Sequence, residues 1–136
     1  VYADTTSILD EITDEETTED YAEDTSTILA RSSYLNFGNA TIKKVASNEI
    51  IISGLTQCHR KCSKVYLSIY LERKVNGSYG TYKYWNFTAN NASSLSKTID
   101  VAVPSGTYYR VRGYHAASQS GKKESTSTLT SGIMVK

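Results

Sequence analysis

The chain has 136 residues, a length that suits one domain. Its 15 Lys and Arg nearly balance its 14 Asp and Glu, which gives a net charge of +1. Its sequence has no apolar run of about 18 residues, so we predict no transmembrane helix and no membrane insertion.

The small net charge hides a division of charge along the chain. Ten of the 14 acidic residues fall between Asp4 and Asp24, and no Lys or Arg precedes Arg31. Residues 31–136 carry all 15 cationic residues and only four acidic ones, a net charge of +11. A segment of like charge with few large apolar residues cannot bury enough surface to offset its ordering entropy. We therefore predict that residues 1–30 form a disordered acidic, Thr-rich tail, or dock loosely on the basic body.

Two further features belong to this tail. Val1-Tyr2-Ala3 fits the small-x-small pattern that precedes a secretory cleavage site, which favours an exported protein, secreted or held at the cell surface. The alternative is an arbitrary start of the chain. Residues 4–9 are also echoed by residues 24–29, and this echo indicates either two adhesive segments or a low-complexity coincidence.

From Tyr34 onward the pattern is typical of β-structure, because apolar residues alternate and turn residues recur every ten or so positions. Asn76-Gly77 predicts a tight hairpin turn, since both residues accept positive φ angles. No segment has a convincing helical period. The predicted strands lie near residues 40–45, 49–56, 64–74, 79–88, 95–103, 107–117 and 125–135.

Seven short strands without helices favour an all-β fold, a seven-stranded immunoglobulin or fibronectin III-like β-sandwich over residues 31–136. A five-stranded oligonucleotide-binding barrel is the alternative, and it fits less well because the strand count is too high. We expect this domain to be a monomer.

The two cysteines are separated by three residues, as Cys58 and Cys62. In an exported domain this spacing favours a disulfide that pinches one loop. A metal site would need four ligands, and His59 and His115 are the only histidines of the sequence. Two free thiols are the remaining alternative. We predict the disulfide, no metal and no cofactor.

A catalytic site is not indicated by the sequence. A hydrolase needs a nucleophile, a base and an orienting group held together. The carboxylates of the body fall on separate predicted segments, and His115 lies near the end of its strand, where we predict a spacer or loop-facing role. There is also no phosphate-binding Gly-rich loop in the sequence. We therefore predict that the protein is not an enzyme. The four carboxylates are Glu49, Glu72, Asp100 and Glu124.

Eleven tyrosines are a high number for this length, and strand alternation places many of them with arginines on one outer sheet face. Tyrosine offers contact area with little rotamer entropy, and the arginine fork binds carboxylate or phosphate. We therefore predict a binding face for a cell-wall polymer, a glycan or another protein, and we expect no nucleic acid. The alternative is a spacer domain whose cross-strand pairs only stabilise the sheet. The predicted ligand-binding residues are Tyr66, Tyr70, Tyr82, Tyr84, Tyr108, Arg110, Arg112 and Tyr114.

The division of charge suggests a second hypothesis about this face. The acidic tail could lie across the basic body and mask it, since opposite charges attract strongly within a Debye length of about 8 Å. The alternative is a soluble linker that connects the domain to a membrane or wall.

Two resemblances complete the prediction. Residues 101–117 resemble the stretch of a fibronectin III domain that carries the tyrosine corner, with Tyr109 favoured as the corner residue. Residues 50–136 are similar to a family of small exported proteins from Gram-positive bacteria with no assigned function. This similarity rests on Leu71-Glu72-Arg73-Lys74, Asn76-Gly77, Trp85, residues 106–113 and Glu124-Ser125-Thr126. It implies export and a β-sandwich, and it brings no catalytic residues.

Overall fold

The computed structural model describes residues 14–27 and 34–136. These residues form seven strands, all antiparallel to their neighbours in one sheet, so the all-β prediction is confirmed. The described part of the chain contains no helix, and hence none that could cross a membrane. The strands are β1 (Tyr21–Thr27), β2 (Leu35–Ala46), β3 (Glu49–Val75), β4 (Ser78–Ala102), β5 (Thr107–Gln119), β6 (Lys122–Leu129) and β7 (Ile133–Val135).

The strand order is β1-β2-β3-β5-β6, and β4 pairs with β3 while β7 pairs with β5. β3 has 27 residues and β4 has 25, and together they form one long hairpin. Its turn is the predicted one, since Asn76 and Gly77 have φ angles of 53° and 83°. Each of these long strands joins two predicted strands, and the last predicted strand divides into β6 and β7.

The long hairpin bends where the sequence predicted loops. The pairing of β3 with β4 shifts register between Gln57 and Cys62, and Asn91 on β4 has a φ of 52°. On one side of the bend β3 pairs with β2, and on the other side it pairs with β5. The sheet therefore curls into a half-barrel, and its two halves face each other.

The core lies between these two halves. Ile42 and Ile52 come from one half, and Leu67, Ile69 and Leu71 come from the other. All five are fully buried in one apolar cluster. Burying each such side chain contributes about 1.5–3 kcal/mol, so this shared core holds the curl in place.

β1 lies within the segment predicted to be a disordered tail, so that prediction is wrong for Tyr21–Thr27. The strand pairs with β2 along its whole length and buries Ala22. Its polar side chains bond across to β6, because the Leu129 amide donates to Asp24 Oδ2 at 2.8 Å and the Ser26 and Thr126 hydroxyls share a hydrogen bond. Hydrogen bonding thus orders a segment that has little apolar surface. Residues 1–13, with the first copy of the echo, and residues 28–30 lie outside the described part of the chain.

His115 is fully buried, so the prediction that it is a spacer or faces a loop is wrong. Its Nδ1 lies 3.2 Å from Thr56 Oγ1 and its Nε2 lies 2.8 Å from Thr128 Oγ1. Burial lowers the pKa of the imidazole to about 4. The ring occupies space left by Gly38, where a Cβ would lie 2.3 Å from ring atoms. This histidine is a neutral link between strands.

The predicted tyrosine corner is confirmed at Tyr109. The ring is fully buried, and its hydroxyl donates to the Pro104 carbonyl at 2.5 Å. The bond ties the start of β5 to the turn that precedes it. The corner lies at the same end of the molecule as the β3–β4 turn, since Tyr109 pairs with Arg73.

The predicted disulfide is wrong, because Cys58 and Cys62 carry free thiols. Both lie on β3 at the bend and pack into a small apolar cluster with Tyr34 and Leu35. Burial raises the pKa of the Cys58 thiol to about 12, and the nearby Cys62 adds to this shift. The C-x3-C spacing predicts a pinched loop, but the segment continues as strand around a bulge.

Candidate binding face

The outer face of the half-sheet β4-β3-β5-β6 carries most of the predicted binding residues. Tyr70 lies in the middle, opposite Tyr84 of β4 and Arg112 of β5. Tyr66 and Tyr114 lie on the same side, because alternate residues of a strand share a face. We call this surface the tyrosine face. Its members are Tyr66, Ser68, Tyr70, Glu72, Lys74, Tyr79, Tyr84, Tyr108, Arg110, Arg112, Tyr114 and Lys123.

The centre of the tyrosine face is a stack that crosses three strands. The rings of Tyr70 and Tyr84 are stacked, with centroids 5.9 Å apart and planes 21° apart. The guanidinium carbon of Arg112 lies 4.1 Å from the Tyr70 centroid. Tyr84 is 61% exposed, so one planar side of the stack is open to solvent. These contacts combine ring stacking with a cation–π interaction.

A second cluster lies toward the bend of β3. Lys123 Nζ lies 4.7 Å from the Tyr66 centroid and 5.8 Å from the Tyr114 centroid. Lys123 lies between two strands predicted from the sequence and was not among the predicted binding residues. The Ser120-Gly121 dipeptide is typical of a tight turn, and its φ angles of 53° and 78° form one, so that β6 begins directly afterwards and includes Lys123.

The two arginines of β5 share one carboxylate. Arg110 Nε donates to Glu72 Oε1 at 2.7 Å, and Arg112 Nε donates to Glu72 Oε2 at 3.0 Å. Glu72 and Arg110 are each only 7% exposed, whereas Arg112 is partly open to solvent. Glu72 therefore holds both cations on the face, a role that strand alternation alone does not predict.

Tyr82 is the exception among the eight predicted residues. The pairs Leu71–Lys83 and Glu72–Thr81 leave Tyr82 as an extra residue in a β-bulge. The bulge turns its ring toward the core, where it meets Tyr109 edge-on with centroids 6.2 Å apart. Strict alternation predicted the opposite side, and one inserted residue reverses the alternation.

The end of the tyrosine face near the β3–β4 turn forms a cluster around Tyr79, a residue outside the predicted binding set. The guanidinium carbon of Arg110 lies 4.0 Å from the Tyr79 centroid. Lys74 Nζ lies 5.9 Å from the Tyr79 centroid and 5.5 Å from that of Tyr108. We call Lys74, Tyr79 and Arg110 the cradle. The bulge at Tyr82 restores Tyr79 to the outer side of β4.

A short stretch of the acidic tail lies on the cradle. We call residues 14–17 the acidic segment. Glu16 Oε2 accepts hydrogen bonds from the Tyr79 hydroxyl at 2.7 Å and from Lys74 Nζ at 2.9 Å. Asp14 Oδ1 lies 4.0 Å from Arg110 Nη1. The acidic segment belongs to the negatively charged part of the chain, and here it pairs with cations of the positively charged part.

The pKa shifts at the cradle follow from these contacts. Desolvation opposes ionisation of Glu16, but the hydrogen bonds from Lys74 and Tyr79 hold the pKa of its carboxyl below the usual value. The hydrogen bond between Lys74 and Glu16 also raises the pKa of Lys74. Burial, followed by the bond to Glu16, raises the pKa of Tyr79. Glu16 is thus a carboxylate and Tyr79 a neutral donor at neutral pH.

The matching family model covers residues 9–133 and is described as a family of unknown function, DUF6147. The chain belongs to this family. The match includes the acidic segment and every residue of the tyrosine face. It also confirms the predicted similarity to a family without an assigned function. No curated protein matches the chain.

In this DUF6147 member a cavity of about 280 Å³ adjoins the tyrosine face. It lies between the acidic segment and β6, beside the Arg112 side chain. Six of its seven lining residues are polar or charged, although much of the exposed wall is carbon. The lining residues are Glu15, Asp24, Arg112, Ser127, Thr128, Leu129 and Thr130.

The carboxylates considered for catalysis have other partners. Side-chain hydrogen bonding with Asp100, and then the negative charge of that residue, raise the pKa of Glu49. Glu72 binds two arginines, and Glu124 accepts the backbone amides of Tyr34 and Leu35 at 3.1 and 2.9 Å. Within residues 14–27 and 34–136, no group of three or more His, Cys, Asp or Glu could hold a metal ion.

Proposed function

We propose that this protein is a non-catalytic extracellular binding or adhesion module that uses its tyrosine face. The observation that carries the proposal is the stack of Tyr84, Tyr70 and Arg112, which spans three strands and is open on one side. Preformed aromatic planes lose little entropy on binding. Such a stack suits a flat or ring-shaped ligand group.

The cations around the stack suggest the charge of the ligand. Arg112 is half-buried and Lys123 is exposed, and each lies against a tyrosine ring that orients it. An anionic polymer could pair with these cations while a sugar ring or a planar side chain stacks on Tyr84. The ligand classes we propose are a cell-wall polymer, a glycan or another protein.

The finer fold and the location belong to the same proposal. We propose that the half-barrel is a variant of the immunoglobulin or fibronectin III-like sandwich, and the corner bond from Tyr109 to Pro104 supports this relation. We also propose that the protein is exported by a Gram-positive bacterium. The Val1-Tyr2-Ala3 pattern and the resemblance support export.

A spacer domain is the competing function. It is supported by the contacts that residues of the tyrosine face already make with one another, since Tyr70 stacks on Tyr84 and Arg112 pairs with Glu72. Cross-strand pairs of this kind contribute about 0.2–1 kcal/mol each without any ligand. A spacer needs no more than this.

An array of glycans and anionic wall polymers separates the two functions. We expect the protein to be retained on a subset of polymers and Tyr84→Ser to weaken retention at least about tenfold, because the open stacking plane is lost. Tyr21→Ser is the matched control, since Tyr21 is 45% exposed but lies on β1, away from the face. Equal retention of both variants, or none by the unsubstituted protein, contradicts the proposal.

A further inference from the structure

The acidic segment is attached to the cradle by few contacts. Its backbone makes one isolated parallel bridge, with the Thr17 amide donating to Gly132 at 2.9 Å and the Gly132 amide donating to Glu15 at 2.7 Å. Glu16 adds the bonds to Lys74 and Tyr79, and its side chain stays 23% exposed. A single bridge is far below the pairing that makes a strand independently stable. These contacts suit reversible association.

The cradle also has a donor that the acidic segment leaves unused. Arg110 is 7% exposed, and its Nη1 is buried without a hydrogen-bond partner among the described residues. The carboxylate of Asp14 stops 4.0 Å short of it. A buried donor without an acceptor is unfavourable. A ligand with an acceptor within hydrogen-bond distance of Arg110 Nη1 would therefore bind the cradle more favourably than the acidic segment does.

Charge and backbone geometry define what fits the cradle. Arg110 and Arg112 share the single carboxylate of Glu72, and Lys74 pairs with Glu16 of the acidic segment. Gly132 offers an amide and a carbonyl to an extended chain at the edge of β7. A Cβ on Gly132 would lie 2.1 Å from the Tyr79 hydroxyl oxygen. The absence of a side chain therefore leaves room for that hydroxyl and for the chain that pairs with Gly132. Extended backbone with carboxylates is the complementary ligand.

We propose that the cradle is a binding site for an extended acidic peptide segment of a partner protein, and that the chain's own acidic segment is a built-in competitor for it. One glutamate of the partner takes the place of Glu16, and a second acid two residues earlier reaches Arg110. The partner pairs with Gly132 as the acidic segment does. This proposal rests on the proposed function, because the cradle is one end of the tyrosine face, and it adds the ligand class and its regulation.

Fluorescence polarisation with a labelled peptide of residues 10–20 tests the site. In the full chain we expect Glu16→Ala to tighten peptide binding about tenfold or more, since apparent affinity rises with the fraction of open sites. Glu19→Ala is the matched control, because it removes the same charge from an exposed position off the cradle. Identical affinities of the two variants overturn the proposal. Glu16→Gln serves as a second, isosteric variant, and unchanged thermal midpoints establish that each folds.

Two further arms define the contacts. Adding Lys74→Ala to Glu16→Ala should return peptide binding to the starting level, and a peptide with Gln in place of its Glu16 should bind the Glu16→Ala protein weakly. Tight binding in either arm overturns the proposal. The polymer array is run on Glu16→Ala in parallel. If polymer retention depends on Tyr84 but Glu16→Ala does not raise peptide affinity, the proposed binding module is supported and the proposed peptide site is contradicted. If neither binds, both fall.

Discussion

His115 shows how one buried polar residue can depend on glycine. Its ring bridges Thr56 and Thr128 and fills the space beside Gly38. Its pKa of about 4 lies below the usual 6.5, so on acidification the unfolded chain takes up a proton first. The protein should therefore lose stability as the pH falls from about 6.5 to 4, by an amount on the order of 3 kcal/mol if the histidine acts alone.

A methyl group beside this ring tests the packing. Gly38→Ala should destabilise the fold by about 1–3 kcal/mol, because its Cβ would overlap rigid ring atoms of His115. Gly80→Ala is the matched control, since a Cβ there meets nothing within 4 Å. Urea unfolding at pH 7 measures both. Similar midpoints for the two variants would show that the imidazole does not hold this position.

At the scale of the element, β1 is the strand that sequence patterns concealed. Alternation and turn signals predicted the other strands, the Asn76-Gly77 turn and Tyr109, because those depend on apolar spacing or local backbone chemistry. β1 depends on backbone pairing with β2 and on side-chain hydrogen bonds to residues about 100 positions later, such as Asp24 with Leu129. The Tyr82 bulge depends on pairing register. Neither feature leaves a periodic signal.

The side-chain bond from β1 to β6 can be removed singly. Asp24→Ala should lower stability by about 1 kcal/mol and expose the Leu129 amide, which loses its acceptor. Asp20→Ala removes the same charge from the exposed residue just before β1 and should change little. Native-state hydrogen exchange at Leu129 is the measurement. Protection that survives Asp24→Ala would mean that the carboxylate is not the acceptor.

At the scale of the whole molecule, two long strands unite both halves of the half-barrel. β3 and β4 run through the bend, so the core and the tyrosine face belong to one folding unit. The division of charge has a structural counterpart, because the acidic segment lies on the cationic end of the face. Opposite charges far apart in sequence thus meet at the surface that we propose binds ligands.

Amide chemical-shift mapping of the full chain with the best-retained array polymer tests the tyrosine face most directly. We expect the perturbed amides to cluster on β3 and β5 around Tyr70 and Arg112, and we expect Tyr84→Ser to remove the shifts while Tyr21→Ser preserves them. Shifts confined to β1 and β2, or shifts that survive Tyr84→Ser unchanged, would contradict it.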